Sequence, residues 1–229
     1  MATNKIIPNK PLLIMLYGFP GSGKTHFVRQ LCEVLQAAHI HSDRIRMDLF
    51  DQPRYDRQEN EVLGQLMDYM TGEFLNAGMS VIYDMNAMRM KQRHQLRELA
   101  RKHNAQPVLV WLQLDPESAF ARISKRDRRR SDDKYAMPLD RNLFDRISSY
   151  MQNPLPTEDY VVVSGKHVFR TQFGTLIKRL HDLKLVTPHE MQTNVARPNL
   201  VNLVPNPTTQ NHITPAGRFD ASRRNVIIR

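Results

Sequence analysis

From Leu12 to Tyr17 six apolar residues follow one another without a polar break. The run is too short to cross a membrane and too continuous for a half-exposed strand, so it predicts a strand buried on both faces. Comparable runs recur at Met79–Asp84, Pro107–Leu114 and Tyr160–Val163, and His39–His41 reads as a shorter strand. Between them the apolar positions recur at helical spacing. One helix follows Gly23 and runs to about Ala37, with Phe27, Leu31, Val34 and Leu35 on its inner face. A longer one spans Arg54–Ala77, with Val62, Leu66, Tyr69, Met70 and Phe74 inward and Gly78 closing it. A third spans Met88–Asn104, with Leu96, Leu99, Ala100 and His103 as the buried stripe. A short helix is expected at Ile45–Phe50. Asp115, Pro116 and Glu117 start another as N-cap, first-turn proline and dipole-matching acid, and two more are expected at Pro138 to about Met151 and Val168–Leu185. Buried strands alternating with helices predict an α/β fold: a parallel five-stranded sheet with helices on both faces, a three-layer αβα sandwich.

The turn after the first strand carries chemistry. Gly18-Phe19-Pro20-Gly21-Ser22-Gly23-Lys24-Thr25 matches G-x-x-x-x-G-K-[ST] at every fixed position, between a strand and a helix. Glycines here let successive backbone N–H groups converge on an anion, and the helix start adds its positive end. Lys24 is expected to reach the β and γ phosphates of ATP and the Thr25 hydroxyl to ligate Mg²⁺. Gly18, Gly21, Ser22, Gly23, Lys24 and Thr25 are therefore the expected nucleotide site.

Two acids stand where open α/β sheets bind ligands, at the carboxyl ends of strands. Asp43 follows the short second strand; the competing reading is that Asp43 or Ser42 merely caps the helix after it. Asp84 ends the third strand, as the acid of a Walker B element that holds Mg²⁺ does, although acids also end strands as simple turn residues.

Charge changes the picture further. The chain of 229 residues has 33 Lys and Arg against 23 Asp and Glu, a net charge of +10. Residues 88–103 and 120–130 each hold six basic residues and one acid, so the two segments carry the whole excess. Two such patches suit phosphate, on a nucleotide, a small substrate or nucleic acid. Arg89, Arg93, Arg97 and Arg101 repeat at four-residue spacing, a basic ridge that is ordinarily just a solvated helix face. The Arg-rich stretch 122–130, the polar residues 131–136 and the helix after them read as a lid over about 122–151.

Neither a signal peptide nor an apolar stretch of membrane length appears, and Cys32 is the only cysteine. Both suggest a reducing cytoplasm. From Val186 onward periodicity ends, lysine is absent and five prolines occur, so 186–229 is expected to be a disordered tail, open to an unknown protein partner. The expected organisation is an N-terminal arm (1–10), one domain (11–185) and that tail.

The order of parts, namely the loop, Ser42-Asp43-x-x-Arg46, Val81-Ile82-Tyr83-Asp84-x-Asn86, Asp115-Pro116-Glu117 and an Arg-rich lid, resembles the AAA_33-type P-loop kinases. That group includes the 5′-kinase domain of phage polynucleotide kinase and lies near zeta toxins and the shikimate and gluconate kinases. The resemblance covers roughly Pro11 to Leu185. It implies that Asp43 is the general base for the accepting hydroxyl, that Arg46 positions the acceptor's phosphate and that Asn86 belongs to the acceptor pocket. The family's Asp-Thr-Asn has Met85 at its middle position here. A lid arginine facing the phosphates falls on Arg126, with Arg122, Arg129 and Arg130 as alternates. The expected activity is ATP- and Mg²⁺-dependent phosphorylation of a hydroxyl, first of an RNA or DNA 5′ end. A small metabolite is the alternative acceptor, and an ATP-dependent switch or adaptor the non-enzymatic one.

Overall fold

The strand β1 (Leu12–Tyr17) runs through the middle of a five-stranded sheet with all six residues buried. The computed structural model describes residues 5–126 and 134–187. In it β1 pairs in parallel with β3 (Ser80–Asn86) and β4 (Gln106–Gln113), while β2 (Ala37–His41) lies outside β3 and β5 (Tyr160–Ser164) outside β4. Alternate residues of β1 feed two cores. Leu12, Ile14 and Leu16 pack with Phe27, Val28 and Leu31 of α1 (Lys24–Val34) and Leu176, Ile177 and Leu180 of α7 (Phe169–Asp182). Leu13, Met15 and Tyr17 pack with Leu63 and Met67 of α3 (Arg57–Asn76) and with Leu96 and Ala100 of α4 (Met90–Lys102). At about 1.5–3 kcal/mol per buried large aliphatic side chain, this doubly covered strand contributes strongly to the fold. The three-layer sandwich expected from the pattern is present.

The order β2-β3-β1-β4-β5 sends the chain to both sides of β1, so the carboxyl ends of β1, β2 and β3 open onto one crevice. A third, smaller core covers one side of it. Phe144 of α6 (Arg141–Ser149) is fully buried against Ala119 and Ile123 of α5 (Pro116–Ser124), with Phe19 and Phe120 beside them. Asp115 and Asp140 cap these two helices through Ser118 N and Leu143 N. Arg141 ties them together with two bonds to Glu117, 2.8 and 2.7 Å. The middle of the expected lid, 127–133, and the tail from 188 lie outside the described residues, and with them Arg129 and Arg130.

Four local expectations are corrected. In α3 the inner face is Glu59, Leu63, Met67, Thr71 and Leu75, with Val62 and Tyr69 exposed, so the buried stripe is shifted by one position. Glu59, Thr71 and Gly72 are buried there, and an apolar periodicity cannot register them. In α4 the ridge is a solvated face only at its two ends: Arg89 and Arg101 are exposed, whereas Arg93 is 0% exposed and bonds Glu158 through two arms, 2.8 and 2.7 Å, and Arg97 bonds the same carboxylate at 2.7 Å. The α2 helix (Ser42–Leu49) starts three residues before the expected one, which puts Asp43 inside its first turn and not at its cap. Finally, the arm and the start of the tail contribute to the core: Ile6 bridges to Leu35, and Val186 is 3% exposed.

Candidate active site

The loop after β1 is built so that side chains are excluded and amides are left for an anion. Gly18, Gly21 and Gly23 all have positive φ. A Cβ on Gly18 would lie 2.5 Å from Leu112 O, and one on Gly21 would lie 2.3 Å from Ala119 O. Gly23 stands at the N-cap of α1 with no side chain capping the first turn, an arrangement that suits phosphate. The Ser22 hydroxyl is buried without a hydrogen-bond partner. Lys24 Nζ donates to Gly18 O and Phe19 O, 2.9 Å each. Burial brings its pKa down to about 8, with Asp84 pulling it back up, Arg126 pushing it down and Asp43 opposing that. A bound phosphate would restore the ammonium's charge partner. These features fit the phosphates of a nucleotide.

The carboxyl end of β3 supplies Asp84 and Asn86. Asp84 Oδ1 accepts from the Thr25 hydroxyl at 3.5 Å, and this pair of hard oxygens fits a Mg²⁺ ion. Its Oδ2 lies 2.9 Å from His39 Nε2. The pairing of β1 with β3 slips between Met15 and Leu16, bringing Asn86 level with Leu16. From there its amide pairs with Gly18 like a strand neighbour: Gly18 N donates to Oδ1 at 3.3 Å and Nδ2 donates to Gly18 O at 2.9 Å. The resemblance placed Asn86 in the acceptor pocket. It borders that space, but its amide holds the loop.

The carboxyl end of β2 supplies the next group. Ser42 Oγ donates to Asp84 O at 2.9 Å, so neither it nor Asp43 caps α2. Burial pushes the Asp43 carboxyl above its usual range; His41 lowers it, Asp84 raises it, and Arg46 and Arg126 lower it. Arg46, which the resemblance assigns to the acceptor's phosphate, lines the same cavity as Asp43, but two of its nitrogens are already engaged by protein. Its guanidinium is buried, donating to Glu59 Oε2 at 2.9 Å and Asn60 Oδ1 at 2.5 Å beneath the Tyr55 ring. Glu59 also accepts from the Arg54 and Tyr55 amides, so α2 is anchored to the start of α3.

Most of these groups border one cavity of about 950 Å³, although Gly18, Ser22, His39 and Glu59 do not line it. Gly21, Gly23, Lys24, Thr25, Asp43, Arg46, Asp84, Asn86, Arg122 and Arg126 line it. Arg122 also donates to Gly165 O at 2.9 Å, fastening α5 to the loop after β5. Ala136, Met137, Leu139, Leu143 and Ile147, from the segment read as a lid, line the cavity as well. The far wall was not foreseen: Tyr55, Asn60, Gly64, Asp68, Tyr83, Gln92 and Gln95. There Tyr83 donates to Asp68 Oδ1 at 3.0 Å, and burial raises both groups' pKa values. Apart from Tyr83, which lies within the third-strand element, no motif marks these residues; they come together only when α3, α4 and β3 pack.

Residues 13–155 match the AAA_33 family, an AAA domain. The chain belongs to this family. A search of curated protein sequences finds no match. Solved structures share the fold at 16% identity. A sugar kinase from Janibacter covers 80% of this chain and 98% of its own, with a TM-score of 0.54. A gluconokinase from Sinorhizobium meliloti covers 76% and 95%, also at 0.54. Kti12 from Chaetomium thermophilum in complex with ADP-AlF3 covers 77% and 100%, at 0.58. The fold is that of P-loop kinases. Among the described residues no helix is long and apolar enough to cross a membrane.

Proposed function

We propose that this chain is an ATP- and Mg²⁺-dependent kinase that phosphorylates a hydroxyl of a small polar molecule. The observation that carries the reading is the shared cavity: phosphate-loop residues and the carboxylate of Asp43 stand on its walls, and its volume is at the upper end for ligand sites. Phosphoryl transfer needs mainly positioning and charge stabilisation. Lys24 and the loop amides hold the β and γ phosphates, with Arg122 approaching from α5 and Arg126 from just past its C-terminus. Thr25 and Asp84 would hold the Mg²⁺, whose charge offsets that of the phosphates. Asp43, with its pKa raised by burial, takes the proton of the accepting hydroxyl.

The acceptor preference rests on charge. A nucleic-acid 5′ end was the first expectation, drawn from two basic segments. Arg93 and Arg97 are bound to Glu158 and Arg46 to Glu59; Arg122, Lys125, Arg126 and Arg146 also line the cavity and are assigned to the nucleotide phosphates, while the far wall offers amides, phenols and one acid, Asp68. Such a wall suits hydroxyls better than phosphodiesters. Incubation with γ-labelled ATP, a metabolite extract and 5′-hydroxyl oligonucleotides tests this. Label on a small molecule supports the reading, and label on oligonucleotides replaces its acceptor. ATP binding without transfer to anything favours a nucleotide switch. The cytoplasm remains the proposed location, and a protein partner for residues 188–229 belongs to the switch reading.

A further inference from the structure

His39 and His41 stand two residues apart on β2, so their rings leave the same face of the strand. The rings stack with centroids 5.3 Å apart and planes at 26°. Across the parallel pairing His41 is in register with Asp84. Asp84 Oδ2 lies 2.9 Å from His39 Nε2 and 3.7 Å from His41 Nε2, and the three ligand atoms all fall within 4.8 Å of one another.

We propose that His39, His41 and Asp84 bind a divalent transition metal of the zinc class, at a position separate from the oxygen pair of Thr25 and Asp84. The spacing supports this first. Tetrahedral zinc with bonds of about 2.0–2.1 Å to nitrogen and oxygen sets its ligand atoms ~3.3 Å apart. The two distances to Asp84 fall on either side of that figure, and the imidazole nitrogens, no more than 4.8 Å apart, would close toward it as the rings turn onto an ion. Donor chemistry comes second. Two imidazoles and one carboxylate select zinc, cobalt, nickel or iron over magnesium, and three protein ligands leave a further position open. Third, the two oxygens of Asp84 face different ways, Oδ1 toward the Thr25 hydroxyl and Oδ2 toward the imidazoles. His41 and Asp84 line the cavity, which gives an ion its route in.

A plain hydrogen bond from His39 to Asp84 explains less. It leaves the His41 nitrogen 3.7 Å from the same oxygen, too far to bond it, and gives no reason for a second ring stacked on the first.

The test uses the tag-free full-length chain and Co²⁺ as probe, at fixed neutral pH with excess Mg²⁺ and no nucleotide or acceptor. It is therefore independent of the kinase reading. The expected result is a visible d–d absorption that saturates at a single equivalent and is displaced by Zn²⁺. His39→Ala and His41→Ala should each weaken binding by at least roughly 10–100-fold, the loss caused even by partners one shell further out. Far-UV circular dichroism establishes that these variants are folded; if neither folds, the wild-type spectrum decides. Absence of the d–d band in the wild type overturns the proposal. So does unchanged affinity in both folded variants, or a thiolate charge-transfer band that places the cobalt on Cys32.

Discussion

Asn86 holds Gly18 through both of its backbone polar groups, accepting from its N–H at 3.3 Å and donating to its carbonyl at 2.9 Å. Lys24 Nζ donates to that same carbonyl, so one side chain fixes both the loop and the group that serves as the lysine's resting partner. Asn86→Ala should weaken ATP binding about tenfold and cost about 1–2 kcal/mol of stability, since two partly buried bonds are lost. Calorimetric titration with a non-hydrolysable ATP analogue and thermal melting check this. Unchanged nucleotide affinity together with a raised acceptor KM would return Asn86 to the acceptor pocket.

Glu158 makes the fold sensitive to acid. The guanidinium of Arg93, then Arg97 and the Leu155 amide, hold its carboxyl down to about 2 although burial opposes them, against an ordinary 4.5. A depressed carboxyl pKa gives stability that is complete above the unfolded value and is lost as pH falls toward the folded one. The pair should therefore contribute about 3 kcal/mol near neutrality, fading between about pH 5 and pH 2. Glu158→Gln, which leaves the buried Arg93 with only the Ala87 and Gln152 carbonyls and no charge partner in Glu158, should cost about 3 kcal/mol at pH 7. Denaturant melts of both proteins from pH 7 down to pH 3 should show the gap narrowing as pH falls.

The glycines of the loop and of the helices separate two effects. Gly21→Ala places a methyl 2.3 Å from the Ala119 carbonyl and 2.9 Å from Ile123 Cγ1, at φ +83°. The carbonyl belongs to α5 and cannot swing aside, so both melting temperature and ATP binding should fall. Gly174→Ala in α7 meets nothing within 4 Å and should raise stability by about 0.5–1 kcal/mol. Parallel melting curves for the two variants decide it; equal effects of one sign would contradict the steric account.

Arg46→Lys removes the second arm reaching Asn60 and leaves Glu59 with a single point charge. The expected loss is mainly one of stability, on the order of 2 kcal/mol or more, read by denaturant melting. A fully stable variant with a raised acceptor KM would instead mean that Arg46 contacts the acceptor.

The sheet and the phosphate loop were legible because each has a local signature. Six apolar residues in a row mark β1, and fixed spacing marks Gly18 to Thr25. The helix stripes were legible only where burial and hydrophobicity coincide. Leu96 and Ala100 satisfy that condition; Glu59 and Arg93 do not, because their burial depends on the Arg54 and Tyr55 amides and on Glu158, 65 residues from Arg93, and Thr71 is buried although polar. The far wall of the cavity was invisible for the same reason. Asp68 and Tyr83 are ordinary residues on α3 and β3 until the two pack. His39 and His41 did carry a signal, paired imidazoles at strand period, which the reading of that segment as a short strand passed over.

Asp43 bears the central claim. Asp43→Asn keeps the size and much of the hydrogen bonding but cannot accept a proton, and since Asp43 sits within the first turn of α2 and not at its cap, a capping loss cannot imitate a catalytic one. Single-turnover transfer from γ-labelled ATP to the identified acceptor, with ATP affinity and melting temperature taken on the same protein, is the deciding measurement. The account predicts transfer lower by roughly 10²–10⁴-fold with ATP affinity and melting almost unchanged. Transfer at the wild-type rate by Asp43→Asn would contradict it.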